Sequence, residues 1–552
     1  MTRMLALFFG VLSASAVQAE TIAVNQQGYF PTGDKHAYVL SGSTKTVSLY
    51  SLDKGKDVLQ LDVLETTKLA DERVLSKVDF SEYSNPGWYQ LSNGENQSAP
   101  FLIAPNAYEN LNNRLVHALY LQRSGMPIND ALTGMRRPES HMRDGIIFRG
   151  DTFHKEGSQL NVTGGWYDAG DFGKYVATTA ITVARLLEAY RQAPDLYPIE
   201  GSQTLPPILQ EAVYGLDWLL KMQREDGAVY RKVSGAKWPA KIGPWQDNQT
   251  RYIYGVSSPE TAKFAGVMAF ASRTLAPFDR TLSRSYLKAA LHAANYLELQ
   301  PEQYIDWLAG DDSGSGPYVK NKIDTEPSLD TDVDDRLWAF AELYITTGQG
   351  KYLEMFKQHY DPRWIDIFEW KNPAVMGVWH LILEEQGEFR DTLAADLQTV
   401  ANRYVQQAQT SPFHIANQRF IWGSNKMTAE AGILVAWADF ANAEKNNRTT
   451  VQSQIDYLLG ANAFDMSFVT HSGTYAVRHL HHLYQIATGV SLPGFLVGGP
   501  NELAQAGVAP KNMGMLSYVD SEKSYAVNEF AIDYNASLIG LLAVHRTYFN
   551  QK

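Results

Sequence analysis

The sequence contains no cysteine in its 552 residues. That absence excludes disulfide bonds, a thiolate nucleophile, a cysteine-ligated zinc ion and the lipid-modified cysteine of a lipoprotein. Positive charge is also scarce, because 48 Lys and Arg stand against 60 Asp and Glu, for a net charge of −12. A surface of this sign repels nucleic acid and anionic membranes on average, so we expect neither as a partner.

Long apolar runs are also missing beyond the N-terminus, so no membrane span is predicted there. The N-terminus itself carries Arg3, an apolar stretch from Leu5 to Leu12 and the small-residue segment SASAVQA. This order is typical of a bacterial secretory signal peptide over residues 1–19, with cleavage after Ala19. The sequence therefore predicts an exported protein, either secreted or periplasmic.

The remaining chain changes its periodicity near Pro105. From residue 20 to residue 105, alternating segments such as KHAYVL and TVSLYSL are separated by turns, which predicts a small β-sandwich. From residue 106 to residue 552, segments such as ATTAITVARLLEAYR carry apolar residues at helical spacing, joined by long loops rich in Gly, Pro and aromatic residues. Many helices with long loops indicate a helical toroid whose loops build one functional face.

Two carboxylates lie three residues apart in the segment GGWYDAGDFGKYV. On a glycine-rich loop Asp168 and Asp171 can both reach a cleft, where one accepts a proton from water and the other orients that water. The alternative is an Asp-rich turn that leads into a helix beginning near Tyr175, because Asp and Gly favour turns and helix starts. The segment alone is compatible with both interpretations.

A second acidic segment, YVDSEKSYAVNEFAIDYNAS, lies near the C-terminus. Glu529 is predicted at the start of a helix, where the helix dipole would lower its pKa. As a proton donor it would have to be desolvated by rings such as Tyr525 or Phe530. A second carboxylate distant in sequence is what acid/base hydrolysis of a glycosidic bond requires. The other acidic candidates of the segment are Asp520, Glu522 and Asp533.

Motifs for metal and nucleotide binding are weak or missing. His479, His481 and His482 have no carboxylate at a familiar spacing to complete a metal site, so we favour a sugar hydroxyl ligand or a solvated loop. The segment DTDVDD at 330–335 has neither the Gly nor the Glu of a calcium loop and fits a helix N-cap better. The sequence has no nucleotide-binding loop, serine elbow or metalloprotease helix.

Four segments, in their order and spacing, resemble glycoside hydrolase family 9: GGWYDAGDFGKYV, YLLGANAFDMSFVTHSG, PGFLVGGPN and YVDSEKSYAVNEFAIDYNAS. The opening IAVNQQGYFPTGDKHAYV is similar to the immunoglobulin-like N-terminal module of one branch of that family. The resemblance implies an immunoglobulin-like β-sandwich domain at 20–105 and an (α/α)6-barrel catalytic domain at 106–552. It also implies hydrolysis of β-1,4-glucosidic bonds with inversion.

The resemblance implies roles for individual residues as well. Asp171 would be the general base, and Asp168 would position the attacking water. Glu529 would be the general acid, Asp520 a supporting carboxylate and Tyr525 an aromatic residue near the cleaved bond. Because flat rings stack on sugar faces, we expect further substrate contacts from His481 and from four loop tryptophans near the motifs, Trp166, Trp245, Trp307 and Trp422.

Two departures from the family pattern bear on specificity and metal content. The family's His-x-Arg substrate motif aligns with HHL at 481–483, so Leu483 replaces a guanidinium that would bind sugar hydroxyls. Members with the immunoglobulin-like module often hold zinc through Cys and His. Here Ser124 and Ser140 stand where the cysteines are expected, and His141 cannot hold zinc alone. We expect no zinc and no required cofactor, and a structural Ca²⁺ ion elsewhere is compatible with the sequence.

These observations favour a β-1,4-glucanase of the endoglucanase type that acts on cellulose-like glucans or their oligosaccharides. A close alternative is an exo-acting β-glucosidase or exo-β-glucosaminidase on short chains, since the acidic surface and Leu483 are compatible with a cationic amino sugar. A non-catalytic carbohydrate-binding protein is less favoured, because all the expected carboxylates are present. Chain-end preference and oligomeric state stay open at this point.

Overall fold

The structure is a computed structural model that describes residues 20–199, 201–443 and 446–550. The predicted signal peptide, residues 1–19, lies outside the described residues. Within the described part of the chain, no helix is both long and apolar enough to cross a membrane. A β-sandwich comes first in the chain and a helical barrel follows it.

Residues 20–105 form seven antiparallel strands in the order β1-β2-β5-β4-β3-β6-β7. The long β4 pairs with β5 on one side and with β3 on the other, so it belongs to both halves of the sandwich. Apolar side chains from both halves, such as Val39, Leu49 and Phe101, meet in one core. This is the predicted immunoglobulin-like sandwich. Its strands are β1 (Thr21–Ala23), β2 (His36–Leu40), β3 (Thr46–Ser51), β4 (Lys56–Lys68), β5 (Val74–Asp79), β6 (Gly87–Ser92) and β7 (Phe101–Ile103).

Strand β2, with the sequence HAYVL, is buried along its whole length. Ala37 and Val39 lie in the core of the sandwich, whereas Tyr38 and Leu40 lie in the core of the helical unit. The ring of Tyr38 is 4.9 Å from that of Phe413, which follows a barrel helix. Because successive side chains of a strand point to opposite faces, this one strand contributes to two cores.

Twelve long helices of the described residues build the second unit. Six of them, α2, α4, α6, α8, α10 and α14, contact one another in that cyclic order, and the other six pack outside. This is the predicted (α/α)6 barrel. The helices are α1 (Glu109–Leu121), α2 (Val176–Gln192), α3 (Pro207–Lys221), α4 (Ser258–Leu275), α5 (Arg280–Leu299), α6 (Val333–Thr347), α7 (Gly350–His359), α8 (Ala374–Glu384), α9 (Glu388–Thr410), α10 (Ser424–Ala441), α11 (Arg448–Leu458), α14 (Ile532–Asn550), and the short α12 (Leu483–Thr488) and α13 (Tyr525–Asn528).

Inner and outer helices differ in the pattern of their buried residues. In the inner helix α2, every residue from Val176 to Ala189 is buried, as expected for a helix surrounded by protein. In the outer helix α5, burial recurs at Tyr286, Ala289, Ala290 and Ala293, which is one face of a helix with 3.6 residues per turn. The difference in pattern therefore distinguishes the two rings.

Six connections of the barrel precede inner helices, and they span 122–175, 222–257, 300–332, 360–373, 411–423 and 459–531. Connections from inner to outer helices, such as 276–279 and 385–387, are shorter, with the exception of 193–206. The six connections therefore gather at one end of the barrel. They include a pair of short strands, β8 (Ile128–Asn129) with β9 (Arg136–Arg137), and a sheet in the order β10-β13-β12-β11, formed by β10 (Ile146–Ile147), β11 (Lys174–Tyr175), β12 (Val229–Gly235) and β13 (Arg251–Ser257).

Candidate active site

Asp168, Asp171 and Glu529 come together at the loop end of the barrel. The aspartates precede α2 and the glutamate precedes α14, and these two inner helices are neighbours. The backbone N–H of Ile532 donates to the carbonyl oxygen of Asp168 at 2.8 Å, and the N–H of Gly170 donates to Glu529 Oε1 at 3.3 Å. Two segments that are far apart in sequence thus form one acidic cluster.

Gly170 permits this close approach because no side chain fits at its position. A Cβ atom on residue 170 would lie 2.4 Å from the carbonyl oxygen of His481, 3.0 Å from Cα of His482 and 3.2 Å from Glu529 Oε1. The first two neighbours are backbone atoms, which cannot move aside cheaply. The glycine between the two aspartates of DAGD is therefore required by the contact with the second acidic segment.

Asp168 is buried and accepts two hydroxyl hydrogen bonds. Thr178, in the first turn of α2, donates to Oδ1, and the Tyr318 hydroxyl donates to Oδ2 at 2.8 Å. Burial and the nearby negative charge of Asp533 raise the pKa of Asp168 to about 7, while the two hydroxyl donors lower it. The carboxyl group is therefore held in one orientation by donors on both oxygens.

Asp171 is less buried than Asp168 and accepts the Gly173 N–H at 2.9 Å. Burial raises its pKa, whereas this N–H and the positive charge of Arg251 act in the opposite direction. A carboxylate that is partly exposed and bonded to one backbone donor keeps lone pairs with which it can accept a proton from water. These properties suit a general base.

Glu529 lies in an extended link between α13, which ends at Asn528, and α14, which begins at Ile532. Sequence analysis predicted Glu529 at the start of a helix, whereas α14 begins three residues later, at Ile532. Burial raises its pKa well above the ordinary value, the negative charge of Asp171 raises it further, and the Gly170 N–H lowers it. A carboxyl group that keeps its proton near neutral pH can act as a general acid.

These shifts predict a bell-shaped dependence of kcat/KM on pH. Activity should fall on acidification when Asp168 and Asp171 take up protons, because a protonated pair cannot accept one from water. It should fall at high pH when Glu529 loses the proton that it donates. We expect the acidic limb well above pH 4, the ordinary range for Asp. Initial rates between pH 4 and pH 10 measure both limbs, and an acidic limb near pH 4 would contradict the effect of burial.

Asp520 supports the histidine-containing loop. Its carboxylate accepts the backbone N–H groups of Arg478 and His479, each at 3.0 Å, and the side-chain amide of Asn528 at 2.9 Å. Because Asn528 directly precedes Glu529, Asp520 joins this loop to the acidic segment. These contacts favour a positioning role for Asp520.

His481, Tyr525 and Trp422 form an aromatic wall beside Glu529. The His481 Nδ1–H donates to the carbonyl oxygen of Glu522 at 2.6 Å, which makes Nε2 the acceptor of the ring. Burial lowers its pKa, so the ring is neutral near pH 7. The Tyr525 side chain is 39% exposed, and its ring lies 6.0 Å from His481 and 5.8 Å from Trp422. Such a partly exposed wall can stack on sugar rings and bind their hydroxyls.

The prediction that Trp166 contacts substrate is wrong. Its side chain is fully buried, its Nε1–H donates to Glu211, and its ring packs where Gly215 of α3 leaves space. The tryptophan points away from the adjacent aspartates and into the packing against an outer helix. Trp245 and Trp307 are partly exposed on other loops, and their contact with substrate stays a prediction.

A polar cluster occupies the place where the family pattern would put zinc. The Tyr167 hydroxyl lies 2.6 Å from His141 Nδ1 and 2.8 Å from Ser140 Oγ, and His141 Nε2 lies 3.2 Å from Asp247. The Arg137 guanidinium donates to Ser140 at 2.9 Å. The cluster offers one histidine and one carboxylate, Asp247, beside hydroxyl groups and a guanidinium, which does not fit Zn²⁺, because zinc sites take three or four Cys, His, Asp or Glu ligands.

The segment DTDVDD leads into α6, but Asp332 does not cap the helix with its side chain. Its carboxylate contacts Arg336 at 2.9 Å, and Asp335 contacts Lys263 at 2.5 Å. Side-chain cations therefore balance these aspartates, and the segment does not fit Ca²⁺. In the part of the chain that the structure describes, no group of three or more His, Cys, Asp and Glu residues is arranged to hold a metal.

Two histidines of the 459–531 connection, His481 and His482, have different hydrogen-bond partners. His482 is buried, its Nδ1 accepts the Tyr484 N–H, and its Nε2–H donates to Gln122 at 3.0 Å. Burial lowers its pKa to about 3. His482 therefore has a structural role, and His481 is the one that faces the acidic cluster.

Sequence reasoning missed Tyr318, although it contacts Asp168 directly. Tyr318 belongs to the segment GSGPYVKNK of the 300–332 connection, which carries no motif and is 150 residues from Asp168. Its only local signal is a proline before it, which gives no indication of a partner. The contact depends on tertiary structure alone.

Comparison with known proteins agrees with this site. The sequence family described as glycosyl hydrolase family 9 matches residues 108–542, and the family described as cellulase N-terminal ig-like domain matches residues 17–98. A xyloglucan-specific endo-beta-1,4-glucanase from Bacteroides ovatus is 31% identical over 97% of this chain and 96% of its own. A cellodextrinase from Butyrivibrio fibrisolvens is 27% identical over 95% of this chain and 99% of its own.

A solved structure gives the same result. The crystal structure of a metagenome-derived glycoside hydrolase family 9 endoglucanase superposes with a TM-score of 0.88 at 35% identity, covering 96% of this chain and 99% of that chain. The matched regions include the sandwich, the barrel and all three clustered carboxylates. The chain therefore belongs to glycosyl hydrolase family 9, in the branch with an N-terminal immunoglobulin-like domain.

Proposed function

We propose that this protein is an inverting endo-β-1,4-glucanase that hydrolyses cellulose-like glucans or their oligosaccharides. The observation that carries the proposal is the convergence of Glu529 with the two aspartates of the DAGD turn, where burial and the negative charge of Asp171 raise the pKa of Glu529. The names of the relatives support it, because they include an endo-beta-1,4-glucanase and a cellodextrinase.

Each carboxyl group takes a distinct part in the proposed reaction. Glu529 donates its proton to the glycosidic oxygen as the bond to the anomeric carbon breaks. Asp171 accepts a proton from the water that attacks this carbon on the opposite face, and Asp168 orients the water. The cycle ends with Glu529 ionised and Asp171 protonated, and exchange with solvent restores both groups. Attack from the opposite face inverts the anomeric configuration.

Product analysis tests this proposal. Carboxymethylcellulose, xyloglucan, cello-oligosaccharides and glucosamine oligomers would be incubated with the protein, and fresh products followed by NMR and by chain length. We expect products that first appear as the α-anomer and that come from inside β-1,4-glucan chains. A β-anomer would overturn inversion, and no release from any β-1,4-glucan would overturn the glucanase assignment.

A second candidate is an exo-acting enzyme that trims short chains, and one observation favours it. Ile242, on the segment 236–250, packs against the apolar cluster that contains Phe172 and Leu483. Phe172 follows Asp171 directly, and the Leu483 N–H donates to the backbone of the DAGD turn at 2.9 Å. An apolar contact beside the base would narrow the cleft next to the sugar that water attacks.

Ile242→Ala should widen the cleft and increase internal cleavage relative to release from chain ends. The loss of viscosity of carboxymethylcellulose per new reducing end measures this ratio. Ile199→Ala is the matched control, because Ile199 is a half-exposed isoleucine in the connection between α2 and α3, at the opposite end of the barrel. Equal ratios in the two variants would show that Ile242 does not limit access to the cleft.

A further inference from the structure

We propose that Lys232 of strand β12 holds the segment 315–318 in place and thereby fixes the Tyr318 hydroxyl that binds Asp168, which makes Lys232 a positioning residue for hydrolysis. The inference rests on the proposed function, because it assigns how the water-orienting carboxylate is itself held. It concerns residues that neither acidic motif contains.

Two aromatic rings pack against the ring of Tyr318. It stacks on Tyr175 with 4.2 Å between ring centroids, and Trp370 lies 4.8 Å away on a tilted plane. The backbone of Tyr318 has a φ of +53°, a left-handed conformation that is uncommon for a residue with a side chain. Surrounding contacts must impose this conformation, and it delivers the hydroxyl to Asp168 at 2.8 Å.

Lys232 of β12 supplies the central contacts to this segment. Its ammonium group donates to Ser315 Oγ at 2.7 Å and to the carbonyl oxygen of Gly316 at 2.8 Å, and it pairs with Asp312. The side chain is almost completely buried. Three donor positions of one ammonium group are thus used within five residues of the chain that leads to Tyr318.

Two further side chains of β12 bind the same segment. Ser234 Oγ lies 2.8 Å from Ser315 Oγ, and the Arg231 guanidinium donates to the carbonyl oxygen of Pro317 at 3.0 Å. Residues 315, 316 and 317 are therefore each held by the strand, immediately before Tyr318.

The same strand also holds the catalytic motif. Strand β11, at the end of GGWYDAGDFGKYV, pairs with β12, and Tyr175 is opposite Lys232 in the register. The Gly316 N–H donates to the Tyr175 hydroxyl at 3.3 Å. Because β12 is bonded to both partners, it sets the position of Tyr318 relative to Asp168. A donor placed before substrate arrives needs no reorganisation during the reaction.

The test compares Tyr318→Phe and Lys232→Met with the wild type. We expect Tyr318→Phe to lower kcat by about 10- to 100-fold, the factor that a hydrogen bond to a charged group contributes, with KM changed little. The acidic limb of kcat/KM should move to higher pH, because losing a donor disfavours the charged form of Asp168. The ionisable groups that act on or are acted on by Asp168 are Asp171, Asp533, Glu529, Tyr175, Tyr318 and Tyr534.

Lys232→Met should shift kcat and the acidic limb in the same directions. The double variant should be no slower than the slower single variant, because both changes act through one hydrogen bond. If Lys232→Met does not fold, Ser315→Ala removes an acceptor of Lys232 and tests the same link. Tyr360→Phe is the matched control, because it removes a tyrosine hydroxyl bond to an aspartate, Asp396, of the same 2.8 Å length.

Each outcome decides the inference. A Tyr318→Phe variant with the kcat and acidic limb of the wild type would overturn it. If the losses of kcat in the two single variants multiply in the double variant, Lys232 does not act through Tyr318. Loss of activity in Tyr360→Phe equal to that in Tyr318→Phe would indicate a general effect on stability. Failure of the proposed function would instead be seen as a wild-type protein without glucanase activity.

Discussion

Glu529→Gln is expected to reduce kcat on cello-oligosaccharides by about 10²- to 10⁴-fold, the range contributed by a general acid. The amide keeps the shape of the side chain and can still accept the Gly170 N–H at Oε1, so the fold and substrate binding should persist. It has no acidic proton to give to the leaving oxygen. Steady-state rates and calorimetric binding of an oligosaccharide measure the two effects separately.

Varying the leaving group of the substrate tests the acid role of Glu529 separately. An aryl glucoside with an acidic phenol needs little protonation, so Glu529→Gln should lose much less activity on it than on a cello-oligosaccharide. Glu522→Gln is the matched control, because Glu522 is an exposed glutamate in the same segment. Equal losses on both substrates would contradict the assignment of Glu529 as the acid.

Asp171→Asn is expected to cause a loss of similar size, about 10²- to 10⁴-fold in kcat, because the amide cannot accept the proton of the attacking water. The Gly173 N–H can still be accepted by the amide oxygen, so the turn should keep its conformation. Unlike the Glu529 variant, this one should be equally slow on aryl glucosides, since the missing step is activation of water.

A small anionic nucleophile separates these roles further. Azide needs no base, so it should restore turnover of Asp171→Asn and give a glycosyl azide of inverted configuration. Asp195→Asn serves as the control, because Asp195 lies in the connection between α2 and α3, away from the cluster. Failure of azide to react, with Asp168→Asn rescued in its place, would assign the base to Asp168.

The acidic cluster could be predicted because its signals are local. Asp168 and Asp171 share one glycine-containing turn that directly precedes a helix, and Glu529 lies three residues before another. The residues that bring these segments together, such as Gly170, are inside the same short motifs. Matching these motifs to one family therefore predicted the carboxylates together. Helical periodicity predicted a helical toroid, and the resemblance implied that it is an (α/α)6 barrel.

The error at Trp166 has a physical reason. Proximity in sequence places a residue near a motif, but on an irregular loop it does not fix the direction in which each side chain points. Asp168 faces the cluster, whereas Trp166 fills the space above Gly215 of an outer helix. A single sequence does not show which face of the loop is the cleft.

Tyr318 and Lys232 illustrate a different limit. Both residues act through contacts between separate connections of the barrel, and their partners lie far from them in the sequence. Buried lysines are uncommon, but a sequence does not reveal that Lys232 is buried. Only the sheet formed by β11 and β12 brings their partners within reach.

Strand β2 also limits how the two domains can be exchanged in evolution or by engineering. Two of its five side chains belong to the barrel core, where Tyr38 contacts Phe413, and two belong to the sandwich core. A sandwich transplanted to another barrel would carry an apolar face shaped for this one. We therefore expect a working exchange to move the immunoglobulin-like domain together with its barrel.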